Sequence, residues 1–245
     1  MFPRWMNYFL PLAVVGFFGG ALYAPAFVTL TLAPQATDVG YAPAQPVPYS
    51  HALHAGQLGI DCRYCHTTVE KTAFAAIPPT QTCMNCHTSI KVNGIDGTPN
   101  NKLHALVESW RSGEPVEWVK IHDLPDYSYF NHSAHVNKGV SCVSCHGRVD
   151  RMDVVYQAEP LNMAWCLECH REPEKFLRPT DQVTNLAFVP GDVDKTHPEM
   201  AATIRDQHKM TPSQPITQDL LGSYLKETYK IRDHEYMTSC STCHR

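Results

Sequence analysis

The chain has 245 residues, with 20 basic against 24 acidic side chains and a formal net charge of −4. It lacks the basic excess that binding to nucleic acid demands, which argues against that class of partner. Nineteen prolines and 13 glycines are scattered along it, so long uninterrupted helices or strands are expected to be few beyond the N-terminus.

Residues 1–4 form a short end that carries Arg4. Residues 5–33 are predicted to be a transmembrane anchor helix. The run from Trp5 to Thr37 holds no charged residue, and Asp38 is the first acid. About 20 apolar residues suffice to cross the hydrocarbon of a bilayer. Arg4 and the amino terminus mark the cytoplasmic end, which puts the rest of the chain on the opposite face. Trp5 and Tyr8 are placed as interfacial aromatics. Ala24-Pro25-Ala26 also has the look of a signal-peptide cleavage site, but the expectation is an uncleaved, single-pass anchor in membrane lipid. Pro25 is expected to kink or end the helix. Gly16 and Gly20, with Gly19 beside them, read equally as a packing face for another membrane helix or as ordinary membrane-helix glycines.

A proline-rich linker follows over residues 34–48. Residues 49–66 then read YSHALHAGQLGIDCRYCH, and residues 78–87 read PPTQTCMNCH. After a connector over 101–129 the pattern returns as FNHSAHVNKGVSCVSCH (130–146) and EPLNMAWCLECH (159–170). Each opening has an aromatic, a small polar residue, His-x-x-His, a glycine, a β-branched residue and then Cys-x-x-Cys-His. The gap from the second histidine to the first cysteine differs by one residue between the two. The chain therefore reads as two modules, 49–100 and 130–175, offset by about 80 residues; such self-similarity marks a structural unit. In the connector, Leu103, Leu106, Val107 and Trp110 recur at helical spacing and predict one amphipathic helix over 101–113. Residues 176–237 carry no cysteine and are polar and proline-dotted. They are expected to wrap the surface or contact a partner, with one helix near Thr217–Ile231. Residues 238–245 hold a last Cys-x-x-Cys-His.

All ten cysteines fall into five such motifs: Cys62/Cys65, Cys83/Cys86, Cys142/Cys145, Cys166/Cys169 and Cys240/Cys243. Each pair is followed at once by a histidine: His66, His87, His146, His170 and His244. In this pattern two thiols add to the two vinyl groups of a heme, and the adjacent histidine ligates the iron. A zinc site would need a second ligand pair at fixed distance. A thiol redox pair has no use for the trailing histidine. The expectation is five covalently attached hemes c, which also requires export of the cofactor-bearing part. About 200 residues must then enclose five macrocycles. The predicted fold is mostly irregular and α-helical, with few short helices packed around the hemes.

Five proximal histidines leave five axial positions and nine further histidines. His51 and His132 are assigned to the first heme of their own modules, and His54 and His135 to another heme each. Two histidines three apart share a helix face and diverge enough to serve two neighbours. The fifth distal ligand stays open between His122 and Met163; a thioether would raise that heme's potential. His104 reads as a face residue of the connector helix. His197, His208 and His234 are the remaining, weaker candidates.

The aromatic-x-His-x-x-His opening resembles class III multiheme cytochromes. The whole arrangement is similar to the pentaheme cytochrome c subunit of alternative complex III, most specifically in DLPDYSYFNHSAHVNKGVSCVSCHG and LNMAWCLECHR. Residues 176–235 carry little of this resemblance. It implies a non-catalytic electron-transfer subunit of a quinol:acceptor oxidoreductase in the inner membrane, with the hemes on the periplasmic side. It further implies integral membrane subunits that oxidise quinol and an iron–sulfur subunit related to molybdopterin oxidoreductases that donates electrons. A monoheme cytochrome c subunit or a soluble periplasmic acceptor would receive them. Two other readings remain at this point. One is a stand-alone anchored quinol dehydrogenase that feeds a periplasmic reductase. The other is a multiheme enzyme with one open iron, which the five intact histidines disfavour.

Overall fold

The computed structural model describes residues 3–31, 38–90 and 101–244. Residues 1–2, 32–37, 91–100 and Arg245 lie outside the described residues, and with them parts of the expected cytoplasmic end, linker and first module.

Helix α1 runs from Met6 to Thr31 and is apolar throughout, with a mean hydropathy of 1.7 and none of its surface buried. By length and composition it can cross a membrane. Pro25 does not end it, and Pro11 also lies inside it. Past Pro25 the hydroxyls of Thr29 and Thr31 donate to the carbonyls of Pro25 and Phe27 at 2.8 Å, which gives the last turns hydrogen bonds of their own. A Cβ added at Gly16, Gly19 or Gly20 would meet nothing within 4 Å in this chain.

The remainder is built from short helices joined by irregular chain. In order they are α2 (Cys62–Cys65), α3 (Thr80–His87), α4 (His104–Ser112), α5 (His132–Val136), α6 (Val143–His146) and α7 (Met163–Arg171). There follow α8 (Val193–Thr196), α9 (Pro198–Gln207), α10 (Gln218–Thr228), α11 (His234–Met237) and α12 (Cys240–Cys243). Among the described residues the extended pairing amounts to one isolated bridge, Val140 to Leu177. Side chains cap several helices: Asp61, Asn131, Asn162, Thr217 and Asp233 each accept a backbone N–H from the first turn. The expected connector helix begins as a 3₁₀ turn, Asn101–Leu103, before α4. Its buried positions are Leu106 and Ser109, whereas Val107 and Trp110 are exposed. A wider apolar stripe was expected than the helix buries.

Among the described residues there are two apolar clusters. The smaller joins Val47, Met84 and Leu106 beneath the first module. The larger gathers Leu177, Phe188, Val193, Ile204, Ile216 and Leu221 with their neighbours. It lies almost wholly within residues 176–237, which were expected to wrap the surface or contact a partner and which also hold a buried core. Part of it falls in α10, within the helix expected near Thr217–Ile231, where Leu221 and Leu225 recur at helical spacing. α10 packs so tightly on the Pro173–Lys175 turn that a Cβ at Gly222 would stand 1.8 Å from the Glu174 carbonyl oxygen. Gln218 Nε2 closes the same contact by donating to the carbonyls of Glu174 (2.9 Å) and Leu177 (2.8 Å).

Candidate heme-binding sites

Each Cys-x-x-Cys pair sits on one short helical turn, which puts the two thiols on one face, three residues apart. The histidine follows at or just past the helix end. His66 Nδ1 bonds the Ala76 carbonyl (2.9 Å), and His87 Nδ1 that of Ile90 (3.1 Å). His170 Nδ1 bonds the Met237 carbonyl and His244 Nδ1 that of Tyr127, both at 2.8 Å. A carbonyl only accepts, so Nδ1 carries the proton and Nε2 keeps its lone pair for a metal.

The upstream histidines are held in the same way. Nδ1 of His54 donates to the Ser50 carbonyl (2.8 Å), Nδ1 of His132 to that of Ala73 (2.8 Å), and Nδ1 of His135 to that of Asn131 (2.7 Å). His51 differs: its Nδ1 is buried without a partner. In both modules the aromatic of the repeat fixes both rings. Tyr49 stacks on His54 at 4.3 Å and meets His51 edge-on at 4.8 Å. Phe130 stacks on His135 at 4.4 Å and meets His132 edge-on at 4.8 Å. The repeated glycine also recurs in conformation, with φ of +67° at Gly59 and +81° at Gly139, a turn that favours glycine.

These placements bring motif histidines and upstream histidines face to face. The ring centres of His54 and His87 are 6.3 Å apart, those of His132 and His146 6.5 Å, and those of His135 and His170 6.2 Å. Two imidazoles bonded to opposite faces of one metal ion, at about 2 Å per bond, have ring centres about 6 Å apart. The pairs therefore fit an iron between them. His51 lies near His66: burial first, then the neighbouring His66 and His54, lower its pKa from 6.5 to about 4. Burial, followed by His122, His132, His66 and His51, lowers that of His146 to about 3. Both rings are neutral at pH 7, the form that ligates a metal. Among the described residues no group of three or more His, Cys, Asp or Glu side chains gathers as a bare-ion site. Apolar side chains near the motifs in sequence, among them Tyr64, Phe74, Ile77 and Tyr236, stand exposed on the protein alone. That is surface an apolar macrocycle would cover.

The other candidates fall elsewhere. His122 Nε2 lies 3.3 Å from His146 Nδ1, with the two rings edge-on at 4.4 Å. The structure thus sets His122 behind a motif histidine. Met163 opens α7 and is exposed. Both nitrogens of His197 are engaged, one with Asp181 (2.9 Å) and one with Thr196 Oγ1 (2.8 Å). His104, His208 and His234 are exposed. The carbonyl partners Ala73, Ala76, Met237 and Tyr127 were not legible beforehand, since any residue offers a carbonyl. The aromatics Tyr49 and Phe130 were visible as part of the repeat, without a role.

Residues 110–188, which contain the whole second module, match the model of the cytochrome c552 family. Over 167 residues the chain is 28% identical to the menaquinone reductase multiheme cytochrome c subunit of Nitratidesulfovibrio vulgaris, across 59% of this chain and 75% of that one. With the motifs and the facing histidines, these likenesses make the chain similar to multiheme cytochromes c; its described residues are mostly helical and irregular, with an N-terminal apolar helix long enough to cross a membrane.

Proposed function

We propose that the chain carries five covalently bound hemes c and relays electrons between a membrane quinone pool and a redox partner outside the cytoplasm. The observation that carries this is the set of three facing histidine pairs at one near-constant spacing. When bound, heme supplies an iron that alternates between ferric and ferrous. The cysteines of each motif would hold the macrocycle. His66 with His51, His87 with His54, His146 with His132 and His170 with His135 would fill both axial positions at four sites. Such saturation leaves no place for a substrate on the iron, which favours a conduit over a reaction centre. His244 would be proximal at the fifth site, with Met163 as the candidate opposite, since His122 Nε2 is taken up by His146 Nδ1.

The setting we propose is a membrane complex, with α1 as a single-pass anchor, its N-terminus cytoplasmic and the heme body on the periplasmic side. Quinol would be oxidised by integral membrane subunits. Electrons would reach this chain through an iron–sulfur subunit and leave to a monoheme cytochrome or a soluble acceptor, so the chain would have no activity of its own. A second reading reverses the flow, toward menaquinone, and is favoured by the relative's name. Purified complex should be assayed both ways, with quinol plus an oxidised periplasmic cytochrome, and with menaquinone plus a reduced one. Prompt turnover in the first direction supports the first reading. Turnover only in the second moves the chain to the other. Quinol reduction of the isolated chain's hemes, without any other subunit, would contradict both in favour of a stand-alone dehydrogenase.

A further inference from the structure

The five motifs are not threaded in the order in which the chain visits them. Within the first module, His54 faces His87 of the second motif, and the Tyr49 ring touches both His51 and His54. Asn85 of the second motif also donates to the Tyr64 hydroxyl of the first, at 3.1 Å. In the second module His132 faces His146 and His135 faces His170, which ties the third motif to the fourth.

The modules meet through their first motifs. The Cys62 side chain lies within hydrogen-bonding reach of the Cys142 side chain. The Ala73 carbonyl, just past the first motif, accepts both the backbone N–H (3.1 Å) and Nδ1–H (2.8 Å) of His132. The Ala52 N–H donates to the Met152 carbonyl at 3.0 Å. Gly56 passes so close beneath Asp150 that an added Cβ would stand 2.2 Å from its carbonyl oxygen.

The last motif joins the fourth. His170 Nδ1 donates to the Met237 carbonyl, three residues before Cys240, and α11 packs on α7. Finally, Cys86 and Cys240 are the two exposed cysteines of the ten, and they belong to the second and fifth motifs.

We infer that the five cofactor sites form one unbranched line in the spatial order second, first, third, fourth, fifth motif, with the second and fifth as its solvent-facing ends. The inference rests on the five-heme reading above. It deepens that reading by naming where electrons enter and leave: at Cys83–His87 and at Cys240–His244. The junction between the first and third motifs is the crossing from module to module, so every electron that travels end to end passes His66 and His146.

An experimental structure of the heme-loaded full chain tests this through its iron–iron distances. The four shortest should pair second with first, first with third, third with fourth and fourth with fifth. A shortest distance from the second motif to the third, fourth or fifth would overturn the order even with all five hemes present. Fewer than five hemes would instead count against the reading on which it rests. In solution, Gly56→Val should keep five attached, six-coordinate hemes while the fast equilibration of electrons across all five is lost. It should be replaced by two separately equilibrating groups, of two and three hemes. Equilibration unchanged from the parent, with the variant's fold intact, would overturn the inference.

Discussion

The two modules solve the same problem with different backbones. Both place an aromatic against two histidines three apart, and in both the N–H of the β-branched residue returns to the second histidine's carbonyl. That bond is Ile60 to His54 at 3.0 Å in the first module and Val140 to His135 at 3.1 Å in the second. The first module has one more residue to fit between those ends. It takes up the extra residue by winding Ala52–Gln57 as a π-helical turn, whereas the second uses the α-helical turn His132–Val136. π-turns are rare and cluster at functional sites, where they accommodate one inserted residue. The pair spacing of 6.2–6.5 Å survives the change; the ring planes differ, at 54° for His54–His87 against 25° for His135–His170. The spacing between facing rings is what the fold preserves, and backbone type is what it gives up.

The modules also differ in support. The second abuts the large apolar cluster through Val140, while the first rests on the small one. Leu221→Ala, at a fully buried site, should therefore cost about 2–5 kcal/mol and loosen the second module first. Leu106→Ala should fall toward the lower end of that range. Denaturant titration of the heme-loaded protein would check both; equal costs would erase the contrast.

The next effect in size is at single irons. His135→Ala and His54→Ala should each leave one heme five-coordinate with all five still attached, read by absorption and resonance Raman spectra. A spectrum and potentials equal to the parent's for either variant would break the equivalence of the modules.

A smaller effect concerns the first heme of each module. The His132–His146 pair has both Nδ1 atoms hydrogen-bonded, whereas in the other module His51 Nδ1 has no partner. Donation from Nδ1 makes an imidazole a stronger ligand and favours ferric iron. The third-motif heme should thus have the lower potential of the two. His122→Leu should raise it without loss of any axial ligand. If that variant instead left the fifth-motif heme five-coordinate, His122 would be the distal ligand there.

The mildest prediction is in pH. Folding lowers the pKa of His51 and His146 from 6.5 to about 4 and about 3. The unfolded chain therefore binds protons that the folded one refuses. Their contribution to stability is full above pH about 6.5 and declines as pH falls toward those folded values. Acid titration followed by low-spin absorbance should show this decline, and a flat profile from pH 7 to 4 would contradict it.

The Cys-x-x-Cys-His runs and the two His-x-x-His pairs were legible because their signals are local, and the structure sets three of the upstream histidines opposite motif histidines. The apolar helix was equally plain from its uncharged length, although Pro25 proved to lie inside α1 and not at its end. What remained hidden depends on contacts distant in the chain. The Ala73 carbonyl at His132 and the Met237 carbonyl at His170 span 59 and 67 residues and have no residue-type signature. The core of residues 176–237 was missed for another reason. The helix α10 was legible from its spacing, but the side chains it packs with, such as Leu177, Phe188 and Val193, come from short turns and helices elsewhere in the segment.

The central claim is that facing histidines hold saturated irons. Its most direct test is electron paramagnetic resonance of the oxidised, heme-loaded full chain, with total heme counted chemically in the same sample. The account predicts five hemes per chain, with the irons of the first four motifs all low-spin and bis-histidine. A stoichiometric high-spin iron at any of those four, in undamaged protein, would contradict it.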